Sequence, residues 1–486
     1  MKVNSNKKQI KDRLVYLTLF IDKVACFGIA AQSLSATNFF YDSFSNKNNG
    51  NWPKNVKDSY ISYLNSAFSI GAFLGPFITI IFGRSNTKNL YILIKLVFIG
   101  GTCGFCVSNH IAVMTISKFF LGVSYMSMHI IIFWYECHNL LPEHRQRAFN
   151  LNSTLGATCI LTLSTLSYLD PGNWWFWRAC HLIFALLLVL SILIELTVLK
   201  KINCVSFFTQ NGKYSKAEEC LLHYIEEETT NRMILLEKED LMNEDLENTR
   251  NDEDETVPCM ERLRSISSLF VEDLGQNKKD VAYIVFIYVL LAGSFYDVIF
   301  AMSTYLGAKE MNNISAVKET KKWVSMGLIG KLMFASFLSY VVPNKRRKLV
   351  LELTHTIGLC LMLGISVSYL VEKLFISNIC IFLFLTTSAC WYPTYLVYAN
   401  DILKPSLSSI AYIVNSLIDS GLFYILPNYL QFELRTKKEV GIRLLVLFFV
   451  RVVFNIMLRI WLVETYDPTR SAKYSVLVEE EIEIGL

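Results

Sequence analysis

Asp22 stands in the apolar run LFIDKVACFG, where a carboxyl desolvated between helices can take up and release a proton as its access to water alternates. Lys23 beside it, or Lys118 further along, would serve equally as the partner of a purely structural ion pair. Asp297, next to Tyr296, is a second acid in an apolar stretch. It could hydrogen-bond a polyol or attract a cation, and a salt bridge with Lys331 explains it as well. Asn152, Ser153 and Asn415 offer short groups that both donate and accept, which suits a ligand with several hydroxyls; helix-to-helix hydrogen bonding is the plain alternative. Trp391, Tyr392 and Tyr395 form an aromatic group that could be a binding platform or simply packing. Arg84, Glu136, Arg145, Arg147, Arg346, Arg347 and Asp401 fall at the ends of apolar runs, where ion pairs could open and close a passage or anchor helices at a membrane edge. Lys95, Glu195, Glu352, Asp419, Arg451 and Arg459 add further charge within or near such runs, without an assigned role.

The elements that must carry these residues are membrane spans. Of 486 residues only 18% are charged, against roughly 25% in soluble domains. Mean hydropathy is +0.36. The net charge of +4 gives no footprint for nucleic acid. Helices of about 20 apolar residues are needed to cross the hydrocarbon layer with every backbone group satisfied. Twelve such runs are present, at 14–37, 59–82, 89–107, 111–135, 148–169, 178–199, 281–306, 322–342, 348–371, 374–399, 407–430 and 440–463. The expected architecture is therefore an all-α membrane protein with two six-helix bundles, 1–199 and 281–463, and a tail at 464–486. Between the bundles, 200–280 carries nineteen of the 42 acids and reads as a cytoplasmic insert with short amphipathic helices and an acidic disordered stretch at 243–255.

Lys and Arg near span ends place both termini in the cytoplasm, with a clear bias in the first half and a weak one in the second. The sequon Asn313-Ile314-Ser315 then falls in an external loop. The twelve cysteines show neither a disulfide framework nor a zinc pattern, and Cys103-x-x-Cys106 reads as a buried pair inside a span. Neither a G-x-x-x-x-G-K phosphate loop nor an H-E-x-x-H helix is present, so no cofactor, metal or enzyme activity is expected.

An internal repeat supports two related halves. At a constant offset of 263, Tyr135 pairs with Tyr398, Leu140 with Leu403, Pro142 with Pro405, Ala148 with Ala411, Asn152 with Asn415 and Ser153 with Ser416. The same offset pairs Arg84 with Arg347. Parallel repeats of this kind place a binding site between the halves near the bilayer midplane.

On these residues the chain resembles the major facilitator superfamily, and within it the sugar porter family. The family's basic cytoplasmic loop is similar to Gly83-Arg84-Ser85-Asn86-Thr87-Lys88 and to Val342-Pro343-Asn344-Lys345-Arg346-Arg347, without the leading acid and the glycine. In the fourth span the register puts Lys118 and Arg145 on family arginines, and His138 on the family's glutamate, with Glu136 two residues earlier. The resemblance puts Asp22 at the proton acceptor of proton-coupled members. In the seventh span only Gly293 fits the family signature, and its two sugar-binding glutamines fall on Val289 and Leu290. What the resemblance implies is a monomeric, multi-pass plasma-membrane transporter that works by alternating access on a small solute, a sugar first. An organic ion on the same fold, and a non-transporting nutrient sensor, are the alternatives.

Overall fold

The computed structural model describes residues 17–29, 58–83, 87–108, 110–139, 155, 158–159, 174–197, 278–293, eight residues between 323 and 334, 347–388, 390–403, 405–431 and 437–463. The fifth expected span (three residues apart), the insert at 200–280 (its last three residues apart) and the tail lie outside them. So do Arg84, Arg145, Arg147, Asn152, Ser153, Tyr296, Asp297 and Arg346.

The described residues are helical almost throughout. We label the helices α1 (17–29), α2 (Asp58–Gly83), α3 (Thr87–Val107), α4 (Ile111–Asn139), α5 (Trp174–Thr197) and α6 (278–293) in the first part of the chain and its continuation. There follow α7 (Arg347–Leu370), α8 (Leu374–Thr387), α9 (Trp391–Ile402), α10 (Pro405–Gln431) and α11 (Lys437–Trp461). Six stretches among the described residues are long and apolar enough to cross a membrane, including Asn89–Val107, Arg347–Leu370 and Lys438–Trp461.

Polarity runs from outside to inside in the reverse of a soluble protein. On α11, Ile442, Val446, Val450, Val453 and Ile460 are exposed, whereas Arg451 is buried. Lys95 and Lys118 are also fully buried. An apolar skin around a core that holds charge is stable only where the surroundings are lipid.

The expected span at 374–399 is one membrane crossing made of two helices. Pro393 explains the break: it has no N–H to give to the carbonyl four residues back, and its ring crowds that carbonyl. Ser388 N–H bonds to the Phe384 carbonyl and Cys390 N–H to the Thr387 carbonyl, so the joint stays hydrogen-bonded. Both residues keep helical dihedrals.

Within the first half α2 and α4 approach closely because glycines face each other. A Cβ on Gly71 would overlap the Phe119 carbonyl, and one on Gly122 would overlap the Phe68 carbonyl. Ser127 completes the seam by donating its hydroxyl to the Gly75 carbonyl at 2.9 Å. Gly122→Leu is expected to force the two helices apart, at about 1–3 kcal/mol or more for overpacking without a void to absorb it. A lowered melting temperature of the detergent-purified protein would show it.

In the second half α7 packs on α8 and α11. Arg451 donates to the Met362 sulfur at 2.7 Å and lies 5.4 Å from the Phe384 ring centroid. Asn455 joins His355 at 2.9 Å and Thr356 at 3.2 Å. Contact between the halves is made by α10, which crosses α2 and α4. The repeat is visible at Tyr135 and Tyr398: both are buried, and each lies four residues before the end of its helix, α4 or α9.

Candidate functional site

Two polar assemblies are built from the spans. The first lies inside the first half. Lys95 on α3 points its ammonium at Asp22 Oδ2 on α1 and at Glu195 Oε1 on α5, each at 2.6 Å. Ser191 accepts a further hydrogen bond from it at 2.9 Å, and the Tyr91 ring centroid lies 4.0 Å away. Tyr91 donates its hydroxyl to Asp22 Oδ2 at 2.7 Å. Asp22 therefore has Lys95 as its ion-pair partner rather than Lys23 or Lys118, the two expected from sequence. Lys23, one residue on and 100° round the helix, faces the other way, into the space between the halves.

The second assembly lines that space. A small cavity of about 10 Å³, room for roughly one water, is bounded by Lys23, Cys26 and Phe27 of α1, His129, Ile132 and Phe133 of α4, and Tyr412 of α10. His129 Nδ1 and the Tyr412 hydroxyl share a hydrogen bond of 2.6 Å across the two halves. Phe133 stacks face to face on Tyr412, with centroids 3.6 Å apart and planes within 3°. Phe27 and Tyr125 hold the imidazole from the sides, at 5.5 and 5.8 Å between centroids.

From Tyr412 a set of polar and aromatic contacts continues into the second half. Tyr412 and Tyr392 share a hydrogen bond of 3.3 Å. Asn415 donates to the Tyr395 hydroxyl at 2.8 Å, and that hydroxyl donates to the Ile284 carbonyl at 3.3 Å. The Asn415 amide oxygen is buried with no hydrogen-bond partner among the described residues. Tyr288 of α6 donates to Asp419 Oδ1 at 2.5 Å, and its ring lies 5.0 Å from that of Tyr395 and 6.2 Å from that of Trp391.

Of the residues expected from sequence, Tyr395, Asn415 and Trp391 are brought together here, and Asp22 is not among them. Glu136 and Asp401 are placed in α4 and α9 by their backbone alone, and Arg347 opens α7. His129, Tyr288 and Tyr412 had no place in the sequence reading. Helical spacing could have found part of the set: Tyr412, Asn415, Ser416 and Asp419 recur at i, i+3, i+4 and i+7 on one face of α10. The repeat offset also maps His129 onto Tyr392, two residues that both meet Tyr412.

Polar side chains from both halves meeting at their junction are the arrangement of a two-bundle carrier, and the sequence comparison agrees: the family model of the Major Facilitator Superfamily matches residues 24–420. The chain belongs to the major facilitator superfamily. No curated protein sequence matches it. Solved structures match over nearly the whole chain. The proton:xylose symporter XylE bound to 6-bromo-6-deoxy-D-glucose is 11% identical, with 92% of this chain and 96% of that chain covered at a TM-score of 0.66. The partially occluded inward-open form of the xylose transporter XylE from E. coli is 13% identical, covering 93% and 98% at a TM-score of 0.65. The nucleoside transporter NupG is 12% identical, covering 92% and 98% at a TM-score of 0.53. At these identities the likeness establishes the fold: an all-α, integral multi-pass membrane protein of the major facilitator type. Family and fold alike point to transport across the membrane rather than to catalysis.

Proposed function

We propose that this chain is a secondary transporter that moves a small polar solute by alternating access, with the solute held where α1, α4, α6, α9 and α10 converge. The observation that carries this reading is the His129 and Tyr412 junction: a closed, polar and aromatic contact between halves, immediately beside a small cavity. Such a contact can open without unfolding either half. By the span count, the end of α4 and the start of α10 face the cytoplasm, together with both termini, in the plasma membrane. His129 lies ten residues before the end of α4 and Tyr412 seven after the start of α10, so the contact seals the cytoplasmic side of the site.

A sugar is the first solute to test. The resemblance to sugar porters and the fold shared with XylE support it, as do the Asn415 amide and the tyrosine hydroxyls, which can serve hydroxyl groups of the solute. Proton coupling is supported by the buried set of Asp22, Lys95 and Glu195. One ammonium between two carboxylates leaves one negative charge, which a proton would cancel.

Uptake of radiolabelled hexoses into proteoliposomes, with and without an inward proton gradient, tests both statements. Gradient-stimulated uptake that is lost in Asp22→Asn, at unchanged uptake without a gradient, is the expected result. Hexose movement indifferent to the gradient would make the chain a facilitator. A protein that moves no solute of a broad panel would be a receptor or sensor on a transporter fold.

A further inference from the structure

The second half offers a feature that hydroxyl recognition does not require. Asp419 is the fifteenth of the 27 residues of α10, one place from its midpoint, which puts a carboxyl at the depth where carriers of this architecture bind their solutes. Its one hydrogen bond among the described residues is from the neutral Tyr288 hydroxyl, and it goes to Oδ1. None of the described ion pairs involves it. This contrasts with Asp22, whose charge is answered by Lys95 at 2.6 Å.

A cluster of aromatic rings adjoins the carboxyl through Tyr288. Tyr288 holds it directly, and the Tyr288 ring lies 5.0 Å from that of Tyr395 between centroids. Trp391 packs on Tyr288 and Tyr392, at 6.2 and 5.3 Å between centroids. Ring faces carry negative electrostatic potential and attract cations, most of all cations that hold little water. A carboxylate at the midplane without a positive partner is costly. A positively charged solute beside Asp419 would remove that cost and could use the neighbouring rings at once, whereas a neutral sugar would leave the charge in place.

We propose that Asp419 and the aromatic cluster beside it bind a small organic cation, a solute with a quaternary or protonated amine, which makes cationic amines the transported class. This rests on the transport reading above and puts a cation in place of the sugar named there as the first solute to test.

The test is equilibrium binding of radiolabelled choline and of radiolabelled ethanolamine to the purified full-length protein, paired with uptake of the same probes by proteoliposomes. Saturable binding of at least one probe, not displaced by excess glucose, is expected. Asp419→Asn should weaken it about tenfold or more, the loss of one charge-assisted contact, while Asp419→Glu stays within a few-fold of the parent. Because Asp419→Asn removes a charge that has no cationic partner among the described residues, its melting temperature should equal or exceed that of the parent. That separates a lost ligand contact from a lost fold. No saturable binding of either probe to the parent protein would overturn the assignment, and so would binding that survives Asp419→Asn. Hexose uptake without cation binding would also overturn it and leave the transport reading intact. Cation binding without uptake of any probe would confirm the site and remove the transport reading.

Discussion

Lys95→Met is expected to yield a protein that no longer folds stably, although the substitution is apolar and sits in an apolar helix. The ammonium is fully buried and bridges Asp22 and Glu195 at 2.6 Å each, so its removal leaves two carboxylates facing one another in the interior of the first half. Breaking a buried ion pair from one side costs about 3–5 kcal/mol, because the surviving charge is left without compensation. Here two charges survive. The loss should be visible as a sharp fall in monodisperse yield and in melting temperature. The triple variant Asp22→Asn, Lys95→Met, Glu195→Gln removes all three charges together, and should recover most of the stability while failing to respond to a proton gradient. If Lys95→Met melts with the parent protein, the three groups are not an interacting set. If the triple variant folds and still couples uptake to the gradient, the proton is carried elsewhere.

These three residues also show why the helices were legible in the sequence and the site was only partly so. A membrane span is a one-dimensional signal: some 20 apolar residues in a row, with little room for another reading. That is enough to locate α3, α4, α7 and α11 within a few residues of their observed limits. The sequence also marks Asp22, Lys95 and Glu195 as costly, since a charge inside such a run must be satisfied. It does not say by what. Lys95 is 100 residues from Glu195, and the pairing depends on which faces of α1, α3 and α5 meet. Adjacency favours Lys23 as the partner of Asp22, yet consecutive residues on a helix point about 100° apart, and that rotation sends Lys23 to the junction of the halves.

Tyrosines behaved in the same way. Trp391 and Tyr395 stand out in the sequence because they crowd one short segment, whereas Tyr288 and Tyr412 are spaced apart from other tyrosines in their helices and gain meaning only from what crosses them. Asp419 shows the limit most sharply. As a letter it is one more acid in a span, and its interest comes from the Tyr288 hydroxyl that reaches it from another helix and from the lack of a described cation beside it.

Tyr412→Ala should shift the protein away from the closed arrangement of its halves. Tyr412 gives the junction a ring stacked on Phe133 at 3.6 Å and a hydroxyl bonded to His129 at 2.6 Å, and both contacts exist only while the halves touch. An aromatic pair contributes about 0.5–1.5 kcal/mol beyond its burial, and a hydrogen bond about 0.5–1.5 kcal/mol net. Their joint loss of about 1–3 kcal/mol moves an equilibrium between closed and open forms roughly 5- to 150-fold, because each 1.4 kcal/mol is a factor of ten. Cys26 is a built-in reporter, a buried free thiol that lines the cavity next to this contact. With the other cysteines replaced, a membrane-permeant thiol reagent should label Cys26 faster in Tyr412→Ala by a factor in that range. Tyr412→Phe keeps the stacking and loses only the hydroxyl, and should fall between the two. Equal labelling of all three proteins would mean that the contact does not hold the junction shut. A solute that binds between the halves would then have to close them by other groups.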